Sequence, residues 1–244
     1  MYHSVTFGSM NSFSDWHLVP DGQPVVTLPE PKTVTVEVPG GNGLLDLSDV
    51  LTRYPVYNVR EGTITFHVLN NSEPWHKLYA RIANYLHGKK MEMVLEDDPS
   101  FYYYGRYSVE WIHNNDGTWS DVDISYTLDP YKYSIQTSLQ EDPKLYEGIS
   151  VSGNSVTKTL SGDRTIGDVP VVPEFIFSNV SGSGVTITLT NSELGITNLS
   201  KTINSNGTRK YYDMILSNLT KTNTLKLVVS GHGKVDVLFR RMSL

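Results

Sequence analysis

Histidine, acidic and cysteine residues are the first candidates for chemistry, because they supply metal ligands, nucleophiles and general acids or bases. The seven histidines are scattered along the sequence, without an HExxH motif or another spacing that would hold a metal ion. The sequence contains no cysteine, which excludes a thiolate metal site, a disulfide and a cysteine nucleophile. We therefore predict no catalytic residues, no bound metal and no cofactor.

A short acidic cluster, Glu96-Asp97-Asp98, is a second candidate for chemistry. Such a cluster could hold a cation or provide an acid–base pair. Pro99 follows it directly, and acidic residues before a proline more commonly form a solvated turn. We therefore expect a turn, with cation binding as the less favoured alternative.

Aromatic side chains that could stack on a sugar ring are unevenly distributed. All four tryptophans lie in the first half of the chain. In the second half, Tyr211 and Tyr212 are the best candidates for a sugar contact. They are weak candidates, because most aromatic residues of that half are expected to lie in a core.

The first half of the chain is predicted to form strands around one helix. Residues 33–38 and 63–68 alternate between apolar and polar side chains, a pattern typical of half-buried strands. The phase of the second strand places His67 on the side away from the core. Residues 39–43 are rich in glycine but lack the Gly-Lys-Ser/Thr of a phosphate loop, so we interpret them as a backbone turn.

Residues around position 80 carry the predicted helix, and a hairpin follows. The helical spacing of apolar residues is shown by Trp75, Leu78, Tyr79, Ile82 and Leu86. Ser72 can cap this helix, Pro74 suits its first turn, and Gly88 suits its end. Further along, residues 102–112 and 118–128 flank a turn at 114–117, and the core face of the second strand is predicted to carry Val122, Ile124, Tyr126 and Leu128.

The second half contains no convincing helix. Residues 185–189, 225–229 and 235–239 alternate cleanly, and Gly, Asn and Ser clusters separate them at the spacing of a β-sandwich. The predicted fold class is therefore α+β and mostly β, with an antiparallel β-sandwich at the C-terminus. We place the first domain at 1–133, a connector at 134–147 and the second domain at 148–244.

Charge and hydropathy limit the partners of the chain. Residues 1–133 contain 9 Lys/Arg and 17 Asp/Glu, a net charge of −8, whereas the remaining residues carry +2. The first half is therefore expected to repel nucleic acid, because affinity for phosphates comes mainly from Lys and Arg. No segment approaches the about 20 apolar residues of a membrane span, and the first residues do not resemble a signal peptide. We expect a protein that is made in the cytoplasm and has no membrane partner.

Several blocks in the first half, in this order and spacing, resemble the distal tail proteins of long-tailed, non-contractile phages. The blocks are Phe7-Gly8, Asp15-Trp16-His17-Leu18, Pro31-Lys32-Thr33, Val38-Pro39-Gly40-Gly41-Asn42-Gly43, Leu45-Asp46-Leu47, Leu86-His87-Gly88-Lys89, Glu96-Asp97-Asp98-Pro99, Tyr102-Tyr103-Tyr104-Gly105-Arg106 and Asp129-Pro130-Tyr131-Lys132-Tyr133. The second half agrees more loosely, through residues 167–173 and its closing strands. The loop at Asn42 departs from the charged residue that many relatives have there.

The resemblance implies a structural protein of the phage virion and not an enzyme. It implies a ring-forming N-terminal domain with one helix and a C-terminal sandwich similar to galectins or carbohydrate-binding modules. It further implies a homohexameric hub at the tail tip, made in the host bacterium. That hub would join the tail tube protein to the tail-tip protein and to receptor-binding proteins.

In such a ring, the acidic cluster Glu96-Asp97-Asp98 has a possible position in the lumen. An acidic wall would keep the phosphate backbone of passing DNA from adhering. An outward-facing solvated turn is the equally favoured alternative.

Two other classes of function compete with the structural one. A carbohydrate-binding adhesin would touch the host cell wall through the second domain. A phage wall hydrolase is disfavoured, because the sequence lacks a constellation of catalytic groups.

Overall fold

The computed structural model describes residues 3–50, 52–69, 73–113, 120–135, 144–159, 169–217 and 225–244. The chain divides into two compact units, Met1–Ile135 (unit 1) and Gln136–Ser243 (unit 2). Both units are mostly β-structure, and the described helix belongs to unit 1. No described helix has the length and hydrophobicity that crossing a membrane requires.

Unit 1 is built on an antiparallel sheet. Its elements are β1 (Val5–Phe7), β2 (Met10–Asn11), β3 (Leu18–Pro20), β4 (Thr35–Glu37), β5 (Leu44–Asp46), β6 (Arg60–Val68), α1 (Trp75–Leu86), β7 (Lys90–Leu95), β8 (Phe101–His113), β9 (Ser120–Leu128) and β10 (Lys132–Ser134). The strand order of the sheet is β2-β1-β7-β8-β9-β6-β3, and β10 pairs with β8. Strands that follow one another in the chain, such as β7, β8 and β9, are therefore mostly neighbours in the sheet.

The long strands β6, β8 and β9 follow the predicted alternation. Val122, Ile124, Tyr126 and Leu128 of β9 are buried, as the sequence predicted, because a strand points successive side chains to opposite faces. The predicted turn at 114–117 lies outside the described residues. His67 lies on the outer face of β6, as its phase predicted.

The helix α1 covers the inner face of this sheet. Leu78, Ile82 and Leu86 are buried in the core of unit 1, which confirms the predicted helical spacing. The helix begins after Pro74, whose extended backbone and fixed φ suit a helix start. Gly88, with φ +74°, terminates it, because that conformation lets the chain turn away. Ser72, the predicted cap, lies outside the described residues.

The prediction of a half-buried strand at residues 33–38 was wrong. The strand β4 is shorter, β5 is its only partner among the described strands, and every residue of both strands is exposed. Alternation alone indicates burial only if another element covers the apolar side. No described residue of unit 1 covers this hairpin, so its valine and leucine side chains face solvent.

Unit 2 is a curled antiparallel sheet. The strands of this sheet are β11 (Lys144–Thr159), β12 (Glu174–Ser178), β13 (Val185–Asn191), β14 (Ile196–Ile203), β15 (Gly207–Lys210) and β16 (Leu225–Leu238), and the two-residue β17 (Met242–Ser243), which is not part of it, follows them in the chain. The order β14-β13-β16-β12-β15 defines the sheet, and β11 runs along the other edge of β16. The predicted alternation at 185–189, 225–229 and 235–239 is confirmed, because the apolar residues of these segments are buried.

The strand β16 produces the curl. Its residues 225–231 pair with β13 and its residues 234–238 pair with β12. The change of partner occurs at Gly231-His232-Gly233, where both glycines have positive φ. Apolar side chains from both parts of the sheet pack into one core, which includes Phe175 and Leu189. Glycine therefore allows one strand to serve both parts of the fold.

Strands occupy both ends of the predicted connector at 134–147, whose bounds as a connector stay a prediction. Ser134 still belongs to β10, and β11 already begins at Lys144. The pairing of β11 with β16 shifts register between Lys144 and Tyr146 and again before Ile149. These irregularities break the period-two pattern, so the sequence does not show this part of the strand. Residues 136–143 lie outside the described residues.

Candidate functional site

The predicted acidic cluster lies directly after β7, next to the beginning of the chain. A carboxylate oxygen of Glu96 accepts a hydrogen bond from the backbone N–H of Ser4 at 2.6 Å. Asp97 lies 2.8 Å from a ring nitrogen of His3.

Asp98 completes the set of local contacts. Its carboxylate accepts a hydrogen bond from the ammonium group of Lys132 at 2.8 Å. Each of the three carboxylates therefore has a partner within unit 1, and Asp97 and Asp98 are about one-third exposed or less. The cluster fastens the N-terminal residues and β10 to the end of β7. Its position relative to a ring lumen stays a prediction.

A metal centre finds no support among the described residues. No group of three or more His, Cys, Asp or Glu side chains that could hold a metal ion occurs within them.

The two tyrosines proposed for sugar contact have different surroundings. The ring of Tyr211 lies 6.2 Å from that of Phe175, and the ammonium of Lys201 lies 5.6 Å from its centre. Tyr212 is 77% exposed, and Lys210 lies near its ring. Tyr211 is therefore partly buried against the core, and Tyr212 presents the more exposed ring.

The most unusual surface of unit 1 is the segment 25–59, which we call the apolar extension. Pro31 pairs with Tyr57 at its base, where Lys32 donates to the carbonyl of Val56 at 2.7 Å and Asn58 donates to that of Glu30 at 2.8 Å. Beyond this base lies the exposed hairpin of β4 and β5. Nine large apolar side chains are exposed among the described residues of the extension: Val25, Leu28, Val34, Val36, Val38, Leu44, Leu45, Val50 and Val59.

These side chains make the apolar extension a candidate contact surface. Contiguous exposed apolar surface in a folded protein commonly marks a protein–protein contact. Sequence reasoning found this strand but placed it in a core. The signal that it missed is the frequent proline and glycine around the segment, at Pro29, Pro31, Pro39, Gly40 and Gly43, which is typical of short exposed strands.

A polar network on the outer face of unit 1 was also missed. His67 Nδ1 lies 2.6 Å from a carboxylate oxygen of Asp121, and its Nε2 lies 3.3 Å from Asp21. The hydrogen bond to Asp121 is the main cause that raises the pKa of His67. Asp121 of β9 is buried, although it is hydrogen-bonded to a histidine on the outer face of the sheet. The two residues are 54 positions apart in the sequence, so local sequence patterns do not predict that they meet.

The fold of the whole chain is similar to a known phage protein. The neighbour is SPP1 Dit (gp 19.1), whose crystal structure is described as a paradigm of the hub adsorption apparatus in phages that infect Gram-positive bacteria. The TM-score is 0.58 at 15% sequence identity, and the match covers 100% of both chains. The chain has a Dit-like phage tail fold. No protein-family model and no curated protein sequence matches it.

Proposed function

We propose that this protein is a distal tail protein, a structural component of the phage tail tip without catalytic activity of its own. The observation that carries the proposal is the likeness to SPP1 Dit over the full length of both chains. A single shared domain would say little about function, because common folds host many activities. Here the likeness extends to both units in the same order along the chain.

The proposed assembly is a homohexameric ring in which the apolar extension contacts the neighbouring protomer. A two-stranded hairpin such as β4–β5 is marginally stable alone in water, and covering its apolar side chains would stabilise it. A contact between two different surfaces of identical chains closes into a ring when the rotation between them closes. The six-fold symmetry rests on the family resemblance.

The proposed partners follow from this position in the virion. The ring joins the tail tube protein on one side to the tail-tip protein and receptor-binding proteins on the other. Unit 2, which we propose to be a sandwich of the galectin or carbohydrate-binding-module type, serves as the docking platform. The proposed location is the virion tail tip, after synthesis in the cytoplasm of the host bacterium.

The ring is tested by placing charges on the apolar extension. Val36 and Leu45 are cross-strand partners, 45% and 51% exposed. We expect V36K/L45K to fold but to lose the rings that the wild type forms at high concentration or with its tail partners, as seen by electron microscopy. The matched control is A80K/N84K, which adds the same charge to the exposed face of α1. Rings of unchanged abundance in V36K/L45K would contradict the proposed contact.

A carbohydrate-binding adhesin is the second candidate function, and the exposed ring of Tyr212 is the observation that favours it. A glycan-binding screen separates it from the structural role. The proposal that the chain is not an enzyme has its own test, incubation with purified host cell wall. Release of soluble sugar or peptide by this chain alone would contradict that proposal.

A further inference from the structure

Two cations face each other on the outer surface of unit 1. Lys90 of β7 and Arg106 of β8 are cross-strand partners, so their side chains lie next to each other on the same face of the sheet. Both are exposed, and neither forms an ion pair with any described acidic residue. Like charges in this arrangement repel each other, and Lys89 adds a third positive charge nearby. An anion bound between them would relieve the repulsion.

A shallow cavity lies beside this pair. It has a volume of about 210 Å³, and its lining includes His87, Gly88, Arg106, Ser108, Ser125 and Thr127. Arginine, serine and threonine side chains supply N–H and O–H donors. We call this cavity, together with Lys90, the basic pocket. Its size suits one small charged group.

The walls of the basic pocket are held in place before any ligand binds. The guanidinium of Arg106 donates a hydrogen bond to the carbonyl of Gly88. The N–H of Gly88 donates to the carbonyl of Tyr107 at 2.8 Å, which fastens the end of the helix segment to β8. A guanidinium fixed in this way loses less conformational entropy when it binds an anion.

The side chain of His87 is oriented as well. Its Nδ1 accepts a hydrogen bond from the backbone N–H of Val109 at 3.0 Å. In the neutral imidazole the proton then lies on Nε2, which makes this atom a donor.

We propose that the basic pocket binds a single carboxylate side chain, a glutamate or aspartate, presented by a protein partner. Arginine matches the planar, two-oxygen geometry of a carboxylate. The surroundings exclude a long polyanion such as DNA, because Glu92 lies two residues from Lys90 on the same strand and Glu61 pairs with Thr127. Nucleic acid would need a continuous row of cations, whereas residues 1–133 carry a net charge of −8. The pocket therefore offers a single positive site in an acidic surface.

The test uses the full chain and a fluorescently labelled peptide whose only charged side chain is one central glutamate, with the same peptide carrying glutamine at that position for comparison. We expect saturable binding of the glutamate peptide by fluorescence anisotropy, weakening with added salt. R106Q should weaken binding about tenfold, since loss of a charge-assisted hydrogen bond costs about 1.4 kcal/mol or more. R106Q/K90Q should abolish it. The matched control, K77Q/K226Q, removes two exposed lysines elsewhere and should retain the affinity of the wild type.

Four results would overturn the proposal. They are no saturable binding to the wild type, equal binding of the glutamine peptide, unchanged affinity in R106Q/K90Q, and tighter binding of a single-stranded DNA oligonucleotide than of the glutamate peptide. Ring formation is recorded for each variant by electron microscopy. A variant that still forms rings but does not bind the peptide shows that the pocket and the ring are independent.

Discussion

Arg60 is a charged side chain in the core region of unit 1, only 2% exposed. It donates hydrogen bonds to the carbonyls of Pro130 at 2.8 Å and Thr27 at 2.7 Å. Its guanidinium lies 5.5 Å from the centre of the Tyr103 ring. Burial lowers the pKa of Arg60, but an arginine stays charged in proteins. This residue therefore ties the start of the apolar extension to the end of β9.

We predict that Arg60→Met destabilises unit 1. Methionine fills much of the same space but leaves both carbonyls without their donor. The expected loss is about 2–3 kcal/mol of unfolding free energy, the usual range for buried hydrogen bonds to a charged group. Denaturant unfolding measures it. Arg60→Lys keeps the charge, and its single ammonium group can reach one of the two carbonyls. It should therefore lose less unfolding free energy than Arg60→Met. Equal stability of wild type and Arg60→Met would show that the hydrogen bonds of Arg60 do not stabilise unit 1.

The second prediction at the residue scale concerns pH. The pKa of His67 is raised, mainly by its hydrogen bond to Asp121, so the protonated imidazole stabilises the folded state. That contribution is fully present below the ordinary histidine pKa of about 6.5 and is lost as the pH rises through the raised value. We expect His67→Gln to destabilise unit 1 more at pH 6 than at pH 9.

Unfolding in denaturant at both pH values measures this difference. His76→Gln provides the matched control, because His76 is exposed on α1 and forms no ion pair among the described residues. A destabilisation by His67→Gln that is independent of pH would contradict the proposed ion pair.

At the scale of elements, the bend in β16 decides the fold of unit 2. Gly231 has φ +104°, and a Cβ atom there would lie 2.2 Å from the carbonyl oxygen of Gly184. Both the backbone conformation and the close approach of the two chains therefore require glycine. A side chain at this position would push β13 away from β16.

We predict that Gly231→Ala destabilises unit 2 by at least about 3 kcal/mol, since backbone atoms must move to accept the methyl group. Thermal unfolding followed by circular dichroism measures this. The matched control is Gly153→Ala on β11, where φ is +74° but the nearest atom to a Cβ lies 3.5 Å away. It should lower the stability of unit 2 by only about 1–2 kcal/mol, which is what a non-glycine residue loses in the left-handed conformation. If both substitutions lowered the stability equally, the close approach of residue 231 to Gly184 would not be the cause of the destabilisation.

At the scale of the whole molecule, unit 2 is proposed as a platform for proteins, and we predict that it binds sugar weakly or not at all. Aromatic faces supply much of the energy that holds a sugar ring. Tyr211 packs against Phe175, so Tyr212 has the most exposed ring among the described aromatic side chains of unit 2. Calorimetric titration of the full chain with host wall polysaccharide should give no saturable binding at micromolar concentration. Saturable binding that Tyr212→Ala abolishes would favour the adhesin instead.

The contacts of the acidic cluster decide which substitutions can test its proposed role in the assembled virion. Replacing Glu96, Asp97 and Asp98 with lysine would remove the contacts to Ser4, His3 and Lys132 as well as the charge. In such a variant, a change in DNA ejection would not distinguish the effect of charge from the effect of a destabilised unit 1. Neutral amides at the three positions keep the shape and part of the hydrogen bonding, so they isolate the effect of charge on DNA ejection.

The sequence alone determined the elements whose burial follows from local spacing. Leu78, Ile82 and Leu86 predict α1 because residues three and four apart share one side of a helix. The strands β9, β13 and β16 are predictable because their apolar residues alternate and are covered by a core. The resemblance in the first half pointed to the phage tail fold, which the likeness to SPP1 Dit supports.

Only the tertiary structure decided which alternating strands are buried and which distant residues meet. The hairpin β4–β5 alternates like β13, yet it is exposed because none of the elements that the structure describes packs on it. The pairs His67–Asp121 and Lys90–Arg106 exist because sheet register places them side by side. Register depends on turns and on the pairing of whole strands, and a one-residue slip would move each side chain to the opposite face. Candidate sites made by register are therefore properties of the folded chain.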